Sequence, residues 1–151
     1  MLLANGASVA WVEPGAASAD LDVRVSRRPR RAGTGQNTGL SFRVLDGSNF
    51  FFAYTSEGPA QADPKRLTVG YYLNGTRTDL VADLVLPSVE WAALRVVTHA
   101  DGQLDIFLDS TPVFQATSAP LSDSTGAGLY NNAPGLALTN RWDDFTIFAA
   151  Q

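Results

Sequence analysis

The sequence contains no cysteine among its 151 residues and a single histidine, His99. The missing thiols exclude disulfides, thiolate catalysis and cysteine-ligated metals. One histidine is too few for a zinc site of the usual kind, which needs several nitrogen or sulfur ligands. No apolar run approaches the roughly 20 residues of a membrane-spanning helix. The first residues lack a basic segment followed by a long apolar one, so we predict no signal peptide there.

Charge is sparse and slightly acidic. Charged residues make up 17% of the chain against 45% hydrophobic residues, and the formal net charge is −4. This composition is typical of a globular protein, and 151 residues correspond to one domain, which we place at residues 1–151. Binding to nucleic acid depends on neutralising phosphates, so the acidic balance argues against a general nucleic-acid-binding protein.

Apolar residues recur with a period of two, as in the runs Leu21–Val25, Leu40–Val44 and Leu104–Leu108. Such alternation indicates β-strands with one face in water. In the run Leu40–Val44 this alternation places Phe42 and Val44 on the buried face of the strand and Arg43 on the face in water. About eleven strand candidates with turn signals between them predict an all-β fold, a two-sheet antiparallel jelly-roll sandwich.

Turn dipeptides separate these segments. Asn74-Gly75 and Asp101-Gly102 both tolerate positive φ, and each is predicted to close a two-residue hairpin. The stretch Pro120–Thr125 is predicted to hold a helical turn.

The segment Phe50–Tyr54 is apolar at every position, which is typical of a strand covered on both faces. Phe51 therefore has two interpretations. It packs in the sandwich core, which is the usual role of a buried aromatic side chain. Alternatively, it lines a ligand groove or a contact with another subunit.

One charge run stands out, Arg27-Arg28-Pro29-Arg30-Arg31. Its proline and the glycines that follow predict a loop. Four arginines in five residues repel one another, which makes an acidic partner plausible. Two interpretations have equal weight. One is a solvated loop. The other is a basic prong that docks on an acidic partner surface, or on phosphate-bearing glycans, through bidentate contacts.

Several longer motifs occur in a characteristic order: Gly39-Leu40-Ser41-Phe42-Arg43-Val44, Asp46-Gly47-Ser48-Asn49-Phe50, Trp91-Ala92-Ala93-Leu94-Arg95-Val96, Leu104-Asp105-Ile106-Phe107-Leu108-Asp109 and Arg141-Trp142-Asp143-Asp144-Phe145. In this order and spacing they resemble the concanavalin A-like lectin/glucanase superfamily, in its laminin-G-like branch. Such modules occur in bacterial extracellular proteins and phage virion proteins. The resemblance covers roughly residues 5–148.

The resemblance implies a jelly roll with one concave sheet, a module that usually binds glycans or proteins and rarely catalyses a reaction. Modules of this branch usually begin with an extra strand upstream of the one that matches Ala7–Val12, and this chain starts almost at that second strand. An uncovered edge strand invites pairing with another chain. We therefore expect a homo-oligomer or a docked component.

Candidate sugar-binding groups lie in two stretches near the end of the chain. Asn131 and Asn132 precede a proline-glycine turn, and Asn140 and Arg141 precede Trp142. A sugar site needs fixed polar groups at a rim with aromatic faces nearby. Asparagine is also a common turn residue, so a structural role is the alternative for each.

The resemblance also implies a metal. In many relatives an acidic residue near a terminal Asp-Asp-Phe motif helps to hold a structural calcium ion, and Asp143 and Asp144 match that motif. The alternative is that one of them tethers a loop while the other is solvated, since no dense acidic loop supplies further ligands. No other cofactor is expected.

Catalysis is not expected. The hydrolases of this superfamily carry Glu-x-Asp-x-x-Glu on one strand, and Glu13, Glu57 and Glu90 form no such motif. His99 lies in no nucleophile motif, and we interpret it as a solvated residue at the end of a strand.

Two functions remain. The first is a structural virion surface component, a capsid decoration or tail protein, that docks on neighbouring subunits through the arginine segment or Phe51. The alternative is a recognition module that binds carbohydrate or a cell surface. Three features favour the structural virion role: the lack of cysteine, the lack of a signal peptide and the incomplete first edge. The usual function of the superfamily favours the recognition module. We expect a virion-surface or extracellular location, no nucleic-acid partner and no membrane insertion.

Overall fold

The computed structural model describes residues 8–13, 20–27, 38–56, 66–86, 93–118, 120–131 and 142–150. These ranges hold eleven strands and no helix that could span a membrane. In chain order the strands are β1 (Ser8–Val12), β2 (Leu21–Arg27), β3 (Thr38–Asp46), β4 (Asn49–Ser56), β5 (Arg66–Leu73), β6 (Thr76–Val85), β7 (Ala93–Thr98), β8 (Gln103–Leu108), β9 (Thr111–Thr117), β10 (Gly126–Asn131) and β11 (Trp142–Ala149).

The strands form two antiparallel sheets. The six-stranded sheet has the order β1-β10-β3-β4-β5-β6, and the five-stranded sheet has the order β11-β2-β7-β8-β9. Strand β10 pairs with both β1 and β3, and β11 pairs with β2, so the end of the chain completes both sheets. The prediction of an all-β, two-sheet antiparallel sandwich is confirmed.

The main core lies between the sheets and is built from alternate residues of the strands. Leu21, Val23 and Val25 of β2 are each at most 1% exposed, as the period of two predicts. Full burial of one such side chain contributes about 1.5–3 kcal/mol. The other buried members of this core are Leu40, Phe42, Phe51, Ala53, Leu67, Val69, Leu86, Leu94, Val96, Leu104, Ile106, Leu108 and Ala127.

Strand β4 is buried on both faces, as its sequence predicts. Phe51 and Ala53 belong to the core between the sheets, while Phe50, Phe52 and Tyr54 belong to a second cluster on the opposite face of the same sheet. Phe51 has no exposed surface. A partner cannot reach it without opening the sandwich. The hypothesis of a subunit contact through Phe51 therefore does not fit its position, and packing in the core accounts for it.

The turn between β5 and β6 forms as the sequence predicts. Asn74 and Gly75 have φ values of 51° and 77°. These left-handed values are those of a two-residue hairpin turn whose twist matches the strands on either side.

Two other predicted turns differ from the structure. The connection between β7 and β8 spans residues 99–102 instead of two residues. Gly102 N donates to His99 O at 2.9 Å, and His99 N donates to Gln103 O at 3.0 Å, one residue beyond the partner it would have in a two-residue hairpin. The helical turn predicted at Pro120–Thr125 is a tight turn in which Ser124 N donates to Leu121 O at 3.0 Å.

A β-bulge in β3 places an arginine inside the sandwich. The pairing of β3 with β4 shifts register between Phe42 and Asp46, and Arg43 has a φ of 47°. Phe42 therefore faces the core between the sheets, while Val44 faces the second cluster. The Arg43 side chain is fully buried, which corrects the prediction from the alternation that it lies on a wet face.

Four backbone carbonyls accept hydrogen bonds from the Arg43 guanidinium. Its Nη1 donates to Ser118 O at 2.9 Å and to Gly102 O at 3.4 Å. Its Nη2 donates to His99 O at 2.8 Å and to Gln103 O at 3.3 Å. All four carbonyls lie at one end of the five-stranded sheet, so this side chain joins the two sheets there.

Backbone carbonyl dipoles and the Phe51 ring stabilise the buried charge of Arg43. Burial lowers the pKa of Arg43, and the negative charge of Asp101 opposes that shift. The guanidinium carbon lies 5.4 Å from the centre of the Phe51 ring, within the range of a cation–π contact. Because a buried charge is costly without such partners, the arginine and the carbonyls that surround it stabilise each other.

Arg43→Met should lower the free energy of unfolding by about 3 kcal/mol, because buried carbonyls lose their donor. Urea denaturation measures this change. Arg24→Met is the matched control, since the Arg24 side chain on β2 is 45% exposed; its effect should stay below about 1 kcal/mol. Equal effects of the two substitutions would contradict the conclusion that Arg43 joins the sheets.

Candidate functional site

The outer face of the six-stranded sheet, turned away from the other sheet, carries the second apolar cluster. We call it the outer cluster. Antiparallel sheets commonly leave such a face to polar residues and water, so an aromatic cluster there marks this face as unusual. The outer cluster consists of Val9, Val44, Phe50, Phe52, Tyr54, Tyr72 and Tyr130, with Trp11 packed against it.

Phe52 lies at the centre of the outer cluster. Its ring stacks on Tyr130 with centroids 4.9 Å apart and planes 15° apart. The centroids of Tyr54 and Tyr72 lie 5.8 Å and 5.6 Å from that of Phe52. Aromatic pairs attract at these separations. The rings are nearly closed to solvent, since Tyr54 is 7% and Tyr72 4% exposed. Their faces are therefore used for packing.

Arg77 and Asp79 on β6 form the polar border of the outer cluster. Their i, i+2 spacing places both side chains on one face of the strand. Arg77 Nε donates to Asp79 Oδ1 at 2.7 Å, and Nη2 donates to Asp79 Oδ2 at 3.3 Å and to Tyr54 Oη at 3.2 Å. The Arg77 and Asp79 side chains are 29% and 34% exposed. The polar border is therefore the part of this site that a ligand can reach.

The Arg77 guanidinium is held in one orientation. Its carbon lies 5.0 Å from the Phe52 ring centre and 5.8 Å from that of Tyr54. Burial disfavours the charged form, but hydrogen bonds with Asp79 and Tyr54 outweigh burial and raise the pKa of Arg77. A fixed cation beside an apolar floor is an arrangement that small-molecule sites use for orientation and specificity.

Gly70 on β5 sets the spacing between the outer cluster and its polar border. A Cβ at this position would lie 2.4 Å from Thr78 O and 2.8 Å from a carbon of the Phe52 ring. Gly70 also pairs directly with Asp79. A larger residue would therefore push either Phe52 or β6 out of place.

Two polar atoms on the outer-cluster side of the sheet are buried and, in the part of the chain that the structure describes, have no hydrogen-bond partner. They are Tyr130 Oη and Ser41 Oγ. Burial raises the pKa of Tyr130, so the phenol stays neutral. An unsatisfied buried group costs about 1–3 kcal/mol. The outer cluster is therefore not optimised as a purely apolar core.

Of the four predicted sugar-binding residues, the structure describes only Asn131. Asn131 ends β10, next to Tyr130, and neighbouring strand residues point to opposite faces. Asn131 therefore lies on the face opposite the outer cluster. Asn132, Asn140 and Arg141 lie outside the described residues, so their part in a sugar site stays a prediction.

The arginine segment is described only at its first residue. Arg27 ends β2, and its backbone pairs with Trp142. Arg28, Arg30 and Arg31 lie outside the described residues. Docking of this segment on an acidic partner therefore stays a prediction.

The predicted calcium ligands lie at a bulge. Asp143 and Asp144 are in β11, where its pairing with β2 shifts register, and Asp144 is exposed with a φ of 53°. Calcium takes roughly six to eight oxygen ligands. Within the seven described ranges, no group of three or more acidic or histidine side chains could hold a metal ion. Nothing is described of the Asp143 side chain, so calcium binding at this pair stays a prediction.

His99 follows β7 at the strand end, as predicted, but its ring is paired. Its Nε2 lies 2.9 Å from Asp105 Oδ2, and the side-chain amides of Gln103 and Gln115 donate to the same carboxylate at 3.1 Å and 2.7 Å. Burial disfavours the Asp105 charge, but the hydrogen bonds from Gln115, His99 and Gln103 outweigh it and lower the pKa of Asp105. Because the His99 carbonyl also accepts from Arg43, we assign this pair a structural role.

Arg77 and Asp79 of the polar border were not among the residues predicted from the sequence. Strand alternation shows that Arg77 and Asp79 share a face, and this signal is present in Thr76-Arg77-Thr78-Asp79. It does not show that this face is the one shared with Tyr54. That depends on β5 lying between β4 and β6.

Comparison with known proteins bears on the fold. No protein-family model matches the chain, and the search of curated proteins found no match. Solved structures do match. Sheep galectin-11 in complex with glycerol is 11% identical with a TM-score of 0.62, covering 93% of this chain and 96% of that chain. Xenopus laevis galectin-Ib is 12% identical with a TM-score of 0.60, covering 93% and 100%. Toad ovary galectin with N-acetylgalactose is 12% identical with a TM-score of 0.55, covering 92% and 97%.

At this identity the matches establish the fold, a concanavalin A-like jelly roll. They show the fold alone, so the resemblance to the laminin-G-like branch and to phage virion proteins stays an expectation from the sequence. The galectin chains are matched over nearly their whole length.

Asp105→Asn should make the free energy of unfolding change less with pH in the acid range. Because the pKa of Asp105 is lowered by folding, its charge stabilises the fold above the unfolded pKa of about 4 and loses that effect as pH falls through the folded pKa. The difference in unfolding free energy between the wild type and Asp105→Asn should therefore shrink as pH falls below about 4. Urea denaturation across acid pH measures it.

Asp123→Asn is the control, since Asp123 is exposed in the turn after β9. A pH profile of Asp105→Asn that runs parallel to the wild-type profile would contradict the role given to this carboxylate.

Proposed function

We propose that this chain is a non-catalytic carbohydrate-binding β-sandwich, and that sugar binds at the polar border of the outer cluster. The proposed contacts are Arg77 and Asp79 on β6 and the hydroxyl of Tyr54. Sugar hydroxyls both donate and accept hydrogen bonds, so a fixed cation and carboxylate side by side suit a pair of neighbouring hydroxyls.

The observation that carries the proposal is the fixed and partly exposed Arg77. A guanidinium has five N–H donors. Its bonds to Asp79 and Tyr54 use Nε and Nη2. Within the described residues its Nη1 has no hydrogen-bond acceptor, so this nitrogen is available to a ligand. Because the side chain is already held by Asp79 and by two rings, little conformational entropy is lost when a ligand binds.

The comparisons add support at the level of the fold. Two of the galectin structures contain polyhydroxylated ligands, glycerol in the sheep protein and N-acetylgalactose in the toad protein. A jelly roll of this shape is therefore compatible with such ligands. Which sugar this chain prefers is part of the proposal, and an N-acetylated galactose is the first probe we choose.

The buried rings limit the expected affinity. Phe52 is fully buried and Tyr54 is 7% exposed, so a sugar does not stack on an open ring as the protein stands. Polar contacts at the border then supply most of the binding energy. We expect monosaccharide dissociation constants of roughly 1 mM, which corresponds to about −4 kcal/mol.

A structural role on a virion surface stays a prediction, as do a homo-oligomer and a virion-surface or extracellular location. The arginine segment proposed to dock there lies largely outside the described residues. The galectin neighbours carry nothing on these points.

Arg77→Met should weaken binding of N-acetylgalactosamine at least about tenfold. The reason is that a hydrogen bond to a charged group contributes about 1.5–3 kcal/mol. Isothermal titration calorimetry measures the change, and Arg77→Lys should be intermediate because it keeps the charge and loses the planar fork.

Arg24→Met is the control, because Arg24 lies on β2 in the other sheet and its side chain is 45% exposed. It should bind as the wild type does. Unchanged binding in folded Arg77→Met, or no binding of N-acetylated or plain hexoses by the wild type, would rule out the proposed site.

A further inference from the structure

Two hairpin turns at one end of the six-stranded sheet are hydrogen-bonded to each other. Asn74 N donates to Asn49 Oδ1 at 2.8 Å, and Gly75 N donates to Ser48 O at 2.9 Å. Asn49 Nδ2 in turn donates to both oxygens of Asp46, at 3.0 Å each. The turn between β3 and β4 therefore holds the backbone of the turn between β5 and β6. We call Asp46, Ser48 and Asn49 the clasp.

The turn that the clasp holds contains a chemically reactive dipeptide. In an Asn-Gly pair the glycine nitrogen attacks the side-chain carbonyl carbon of asparagine. A C–N bond forms, the nitrogen loses its proton, ammonia leaves and a cyclic imide remains. Water then opens the ring at either carbonyl and gives aspartate or isoaspartate. Asn74 is exposed, and a Cβ built on Gly75 would meet nothing within 4 Å, so water reaches this turn and no side chain crowds the glycine.

We propose that Asn74 is a site of spontaneous deamidation and that the clasp restrains it. In the native turn the attacking atom, Gly75 N, donates its proton to Ser48 O. The backbone of Asn74 is held at a φ of 51° by its bond to Asn49. Both constraints must be released before the ring can close. The reaction therefore proceeds from the locally opened turn, and its rate follows how often that turn opens.

Isoaspartate at this position would change the pairing of β5 and β6. It routes the backbone through the former side chain and adds a methylene to a turn of two residues. The turn then no longer keeps Leu73 opposite Thr76 and Tyr72 opposite Arg77. Deamidation would thus disturb the polar border, although the chemistry itself does not depend on sugar binding.

Peptide mapping by mass spectrometry tests the proposal on the full chain, incubated in mildly alkaline buffer with and without urea. Deamidation raises the mass of the peptide by one unit. The second Asn-Gly pair of the chain, Asn5-Gly6, is an internal reference for the chemistry in urea. We expect both pairs to deamidate at similar rates in urea, and Asn74 to react at least about tenfold more slowly in native buffer.

Variants of the clasp separate its effect from general protection by the fold. Asn49→Ala should accelerate deamidation of Asn74 several-fold in native buffer. Asp46→Ala should act in the same direction, because it removes the anchor of Asn49. Gln115→Ala is the matched control, since it deletes an amide hydrogen bond to Asp105 on the other sheet and should leave the rate unchanged.

Three results would overturn the proposal. The first is deamidation of Asn74 in native buffer as fast as in urea. The second is an unchanged rate in both clasp variants. The third is an unreactive Asn74 in urea under conditions in which Asn5 reacts.

Discussion

The rest of the structure depends on the bulge that turns Arg43 into the sandwich. Residues two apart on a regular strand share a face, yet Phe42 packs between the sheets and Val44 packs in the outer cluster. The bulge thus adds Val44 to the outer cluster and at the same time buries a cation. That cation is stabilised because its guanidinium donates to carbonyls at the end of the five-stranded sheet, including His99 O at 2.8 Å and Ser118 O at 2.9 Å.

The second apolar face is what gives the protein a candidate site. Stacked, buried rings around Phe52 fill the middle of this face, so the polar groups that a ligand can reach lie at its border. There Arg77 is fixed by Asp79, by Tyr54 and by two rings, while 29% of its side chain surface remains exposed. Rigid polar groups beside an apolar floor suit a small polar ligand better than a macromolecular interface, which buries a larger apolar area.

Much of the fold could be predicted because a period of two and turn dipeptides are local signals. Alternation predicted the strands, and the apolar run Phe50–Tyr54 predicted a strand buried on both faces. The same alternation placed Arg43 in water, because a bulge leaves no mark in the pattern of side chains. Arg77 and Asp79 were missed for a different reason. Their meeting with Tyr54 depends on strand order, which is a non-local property.

The central claim is that sugar binds at the polar border of the outer cluster. The most direct measurement is a ¹H–¹⁵N correlation titration of the wild-type protein with the monosaccharide used in the calorimetry. The account predicts that shifts concentrate on the backbone amides of β5 and β6 around Tyr72, Arg77 and Asp79, with β8 and β9 unaffected. Shifts confined to the five-stranded sheet would contradict it. So would the absence of any shift at monosaccharide concentrations well above the expected dissociation constant.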